Sequence, residues 1–110
     1  MNTLDNYPIL IKYNWSIEHF VNDCQGITIA EYENFRYNLS STIDDYLSST
    51  HKCDEEYLNF NKDKIIVFKS FLRNSILYVK YGTEEVIGAK ITEYEIQELK
   101  RLREGLKLMR

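Results

Sequence analysis

Glycine, proline, cysteine and histidine are scarce: the 110 residues contain 4, 1, 2 and 2 of them. So few glycines leave no run that could cradle a phosphate, and neither a Gly-x-Ser-x-Gly nor a His-Glu-x-x-His pattern occurs. Hydrolytic, nucleotide-binding or redox chemistry is hard to assemble from such a chain, so it is expected to be non-enzymatic and to carry no cofactor. Cys24 and Cys53 form no Cys-x-x-Cys pair and are expected to stay reduced. No apolar run approaches the ~20 residues of a membrane span. Met1–Asn6 has neither a basic nor an apolar leader character, which makes a cytoplasmic location the expectation. No linker, repeat or low-complexity tract divides the sequence, and residues 1–110 are read as a single domain. That length supports a core without help from a metal or a disulfide.

What is present is helical grammar at both ends. Thr92 and Glu95 are spaced as a capping box, in which a hydroxyl accepts from an amide and a carboxylate reaches back to the cap. Ile96, Leu99, Leu102, Leu106 and Met109 follow on one helical face, so a helix is expected from Thr92 towards Arg110. Thr28 and Glu31 repeat the box, with Tyr32, Phe35, Leu39, Ile43, Tyr46 and Leu47 behind it, and this helix should end near Ser48. Before it, Ile17, Phe20, Val21 and Cys24 define a shorter helix that Asn14 or Ser16 can cap and Gly26 can stop. The two are expected to form an N-terminal helical hairpin.

The remainder reads as strands. Pro8 before Ile9-Leu10-Ile11 suggests an edge strand over 9–13. Lys64–Leu72 is rich in β-branched and aromatic residues, and Ile76–Tyr81 alternates with a period of two. Asp54–Phe60 is read as a strand, with one helical turn as the alternative. Glu85–Ile91, interrupted by Gly88, is read as the last strand. Asn61-Lys62-Asp63, Arg73-Asn74-Ser75 and Gly82-Thr83-Glu84 supply turns between them. The expected fold is therefore α+β: the helical hairpin, a three- or four-stranded antiparallel meander, and a C-terminal helix packed on the sheet, with Leu77 and Val79 receiving its stripe.

Charge is unevenly distributed. Residues 1–62 carry −6 and residues 63–110 carry +3, within a net charge of −3. The acids gather at Asp44-Asp45 and Asp54-Glu55-Glu56, near Tyr37 and Tyr57. An acidic face with aromatic anchors suits a basic protein partner. The bases Lys80, Lys100, Arg101, Arg103 and Lys107, with Tyr78 among them, offer an alternative surface for nucleic acid, against an acidic pI of about 5.4. His51-x-Cys53-Asp54-Glu55-Glu56 is the densest group of ligand-type residues, and His19 and Cys24 could add to it. Its spacing matches no structural zinc pattern, and residues five apart on a helix diverge by about 140°. No metal site is expected.

No specific motif places the chain in a family. Its general profile of a small, acidic, tyrosine-rich domain without catalytic furniture resembles bacterial immunity proteins and phage anti-defence inhibitors. The resemblance implies a non-catalytic, toxin-neutralising or anti-defence protein that occupies a basic nuclease or toxin through Tyr37, Asp44, Asp45, Asp54, Glu55, Glu56 and Tyr57. A nucleic-acid-binding protein and a homodimeric structural subunit are the alternatives.

Overall fold

The computed structural model describes residues 3–49, 55–83, 85 and 91–107. Among the described residues a 3-10 turn at Thr3–Asn6 leads into five helices: α1 (Pro8–Tyr13), α2 (Ile17–Asp23), α3 (Ile29–Ser48), α4 (Glu55–Tyr81) and α5 (Glu93–Gly105). The α+β expectation is overturned. The one strand-like contact among the described residues is an isolated parallel bridge between Thr28 and Lys107. None of the helices there is long and apolar enough to cross a membrane.

The first correction is at Pro8. It opens α1 rather than an edge strand, because a proline at the first helical position loses no bond that the helix would have made. Leu10 and Tyr13, three apart, face the core. Asn14 and Trp15 then both take positive φ, 45° and 61°, which turns the chain before Ser16 caps α2. The Ser16 hydroxyl accepts from the His19 amide at 3.2 Å. Ile17, Phe20, Val21 and Cys24 are all buried, as their spacing requires. Gly26, at φ +82°, reverses the chain where a side chain would be strained.

Both capping boxes form. The Glu31 amide donates to Thr28 Oγ1 at 3.1 Å and the Thr28 amide to Glu31 Oε1 at 3.2 Å. Thr92 and Glu95 do the same at 3.2 and 3.3 Å. α3 ends at Ser48, but α5 stops at Gly105, well before Arg110. Past it the chain is pinned to the α2–α3 turn: the Gly26 amide donates to the Gly105 carbonyl at 2.7 Å and the Lys107 amide to the Ile27 carbonyl at 2.8 Å. A Cβ on Gly105 would meet only the end of the Gln25 side chain, which would have to swing aside. Met109 lies outside the described residues.

The largest correction is α4. The expected strands at 57–60, 64–72 and 76–81, and the two turns between them, are one continuous helix. Its buried positions, Asn61, Ile65, Phe68, Phe71, Leu72, Asn74, Ser75, Tyr78 and Val79, fall mainly three or four residues apart. Polar residues inside this stripe mimic turn signals. Asn61 instead donates its amide to the Tyr57 carbonyl at 3.0 Å, and Ser75 donates its hydroxyl to the Leu72 carbonyl at 2.8 Å. Both are satisfied by the preceding helical turn. The last expected strand, with Gly88, falls mostly outside the described residues.

α3 and α4 run antiparallel, as the pairs Tyr32–Ser75, Arg36–Leu72 and Asp44–Lys69 show. α5 packs on α4 and α2 instead of on a sheet, burying Leu99, Leu102 and Leu106; Val79 is buried and Leu77 only partly. α2 lies closest to α5 and meets α3 through the Phe20 ring, so the expected hairpin is splayed. Phe20 sits at the centre, with Tyr13, Tyr32, Phe35, Phe68 and Phe71 at centroid distances of 5.3 to 6.4 Å. Much of the aromatic content is therefore core, in edge-to-face and tilted contacts that add to simple burial.

Candidate partner-binding surface

α3 carries Glu31, Glu33, Asp44 and Asp45 against a single base, Arg36. Tyr37 stands near the middle of the helix with 65% of its surface exposed. A separation of seven residues puts Asp44 on the same helical face as Tyr37, while Asp45 lies about 100° round from its neighbour. Both acids are exposed. The outer side of α3 thus offers one large aromatic amid carboxylates.

The other expected partner residues divide. Glu55 and Glu56 are exposed in the first turn of α4, where a carboxylate complements the helix dipole without any partner. Asp54 lies outside the described residues, as do His51 and Cys53. Tyr57 is half-buried and structural. Its hydroxyl accepts from Trp15 Nε1 at 2.9 Å and donates to Asn14 Oδ1 at 3.3 Å, which fastens α4 to the α1–α2 turn. Burial holds its phenol above the ordinary value, the Trp15 hydrogen bond acting in the opposite sense.

Between α3 and α4 lies a groove of about 470 Å³, lined by Arg36, Ser40, Asp44, Lys69, Ser70 and Arg73 among others. Lys69 Nζ pairs with Asp44 Oδ1 at 3.4 Å. Arg36 donates to the Leu72 carbonyl at 3.3 Å, while its Nε is buried without a hydrogen-bond partner. Asp44 thus stands where the outer side of α3 meets the groove, and a cationic strip of Arg36, Lys69 and Arg73 flanks it there. Sequence reasoning missed this strip, because antiparallel packing alone brings Arg36 near Lys69 and Arg73.

The alternative basic set does not gather. Tyr78 is 6% exposed and packs in the core, so it presents no ring to a base. Arg101 is held by Glu98 Oε2 at 2.8 Å and Asn22 Oδ1 at 2.6 Å. Lys80 and Arg103 share a hollow of about 500 Å³ beside Ile29, Val79 and Leu106. Lys100 and Lys107 are exposed on α5 and just beyond it.

Cys24 is fully buried, and burial pushes its thiol up to about 12, with the Asp23 charge adding to the shift; it is no nucleophile at neutral pH. Among the described residues no group of three or more His, Cys, Asp or Glu is placed to hold a metal. Comparison of the chain with protein-family models, with curated proteins and with solved structures found no match in any of the three.

Proposed function

We propose that this chain is a small, non-catalytic protein-binding inhibitor that meets a basic partner, of the toxin or nuclease kind, with the outer side of α3. The observation that carries the reading is the 65% exposure of Tyr37 beside the carboxylates of that helix. Tyrosine supplies a large contact area at small entropic cost and keeps a polar tip for the rim of an interface. Asp44 and Asp45 would steer a cationic partner into register, and a partner carboxylate could meet the cationic strip at Lys69 and Arg73. Occupation of the partner's own basic surface would be the inhibitory act, as in immunity proteins and anti-defence inhibitors.

The test is affinity capture from the native host with wild type and with the double variant Tyr37→Ala/Asp45→Lys, read by mass spectrometry. A stoichiometric basic protein retained by wild type and lost from the variant supports the reading. Equal recovery by both removes α3 from it. Lys80 and Arg103 sharing one hollow favours a second reading, contact with nucleic-acid phosphates. It predicts recovery of nucleic acid that disappears with nuclease or high salt.

A further inference from the structure

Phe60, in the second turn of α4, is 85% exposed, far more than a phenylalanine on an amphipathic helix needs to be. At about 100° per residue, Phe60, Asp63, Lys64 and Val67 occupy one arc of α4 roughly 100° wide. The same arc continues into Phe71 and Tyr78, which are buried. The stripe is thus covered over the C-terminal half of α4 and open over the N-terminal half, where Val67 remains 42% exposed. Beside the open half is a hollow of about 490 Å³ whose walls include Trp15, Ile17, Val67 and Tyr94. Asp63 and Lys64 stand at its edge, and the ion pairs found among the described residues use other side chains.

The order of these four residues, apolar, acidic, basic, apolar, is self-complementary. Two copies of α4 laid antiparallel about a twofold axis between positions 63 and 64 would bring Phe60 of each against Val67 of the other. The same axis would set Asp63 opposite Lys64, twice. Phe60 would be the knob, and the hollow beside Val67 the hole that receives it. This is an isologous contact, in which one patch meets its own copy.

We infer that the open half of α4 is a homodimer interface, with a second copy of this chain as its occupant. The outer side of α3 is not on this arc, so the inference stands whether or not α3 binds a partner.

Sedimentation equilibrium over a wide concentration range tests it. Wild type is expected to approach twice the monomer mass at high concentration. Phe60→Asp is expected to stay monomeric with an unchanged far-ultraviolet spectrum, because the side chain has little to lose in the monomer. Asp63→Lys sets lysine against lysine and is expected to dissociate the pair, and Asp63→Lys/Lys64→Asp is expected to restore it. A wild type that is monomeric throughout would overturn the inference. So would a dimer that survives Phe60→Asp, or an exchange of charges that fails to restore association.

Discussion

Tyr32 donates its hydroxyl to Ser75 Oγ at 2.5 Å across the seam between α3 and α4, with both residues fully buried. Ser75 in turn donates its own hydroxyl to the Leu72 carbonyl. This short relay is the buried polar fastening between the two helices, beside the Arg36–Leu72 and Asp44–Lys69 contacts. Tyr32→Phe leaves Ser75 with its carbonyl partner and is expected to cost about 1 kcal/mol. Ser75→Ala strands a phenol hydroxyl in the core and is expected to cost about 2 kcal/mol. The double variant should cost clearly less than both together, as urea unfolding of the full cycle would show. Additive losses would mean that the two hydroxyls do not act as a unit.

Tyr37 and Tyr57 are expected to respond oppositely to mutation. Tyr57→Phe removes the acceptor of the Trp15 indole and should lower stability by about 1 kcal/mol while partner capture persists. Tyr37→Ala touches an exposed position and should stay within about 0.5 kcal/mol of wild type while capture is lost. Thermal melts beside the capture assay separate the two roles. A destabilised Tyr37→Ala would reassign that ring to the fold.

Acid should reveal the Tyr13–Asp23 contact. The Tyr13 hydroxyl donates to Asp23 Oδ2 at 2.7 Å, and Lys12 Nζ lies 3.0 Å from the same oxygen. The tyrosine hydrogen bond, and then the lysine, hold the Asp23 carboxyl below its ordinary value. A carboxylate with a depressed folded pKa stabilises the fold above its unfolded pKa of about 3.9 and loses that contribution as pH falls through the folded value. The stability gap between wild type and Tyr13→Phe should therefore be flat near neutrality and narrow below about pH 4. A gap independent of pH down to acid unfolding would show that Asp23 gains nothing from the phenol.

Cys24 should be silent. In a Cys53→Ser background, thiol reagents are expected to leave the native protein unmodified and to react fully once it is unfolded, because burial removes both access and thiolate. Rapid labelling under native conditions would require α2 to open locally.

The sequence was most readable where local chemistry and packing agree. Both Thr–Glu boxes and the faces of α2, α3 and α5 follow from side chains within a few residues of one another. α4 was illegible because β-branched and aromatic residues raise strand propensity, while Asn61 and Ser75 interrupt its apolar stripe. Their backbone partners lie one helical turn back, so the interruption disappears only once the helix exists. Pro8 failed for a related reason, since the same ring opens a helix or edges a sheet. The surface was partly legible. Exposed Asp44 and Asp45 could be read directly, but Tyr57 looks identical to Tyr37 until its bond to Trp15 is known. The antiparallel register of α3 and α4 decides the company of Arg36, and no local signal carries that. The Phe60–Val67 stripe was available, since spacings of three, four and seven become visible once 55–81 is treated as one helix.

The clasp that joins Gly105 and Lys107 to Gly26 and Ile27 has a kinetic meaning. It ties together segments separated by most of the chain, so its closure carries the loop entropy of the intervening helices and is worth making only after α3 and α4 have docked. Such late contacts are expected to be weak in the folding transition state, so strengthening or loosening them changes how fast the molecule opens more than how fast it folds. On that argument the clasp is expected to act as a latch on the native state, lengthening the lifetime of the folded protein.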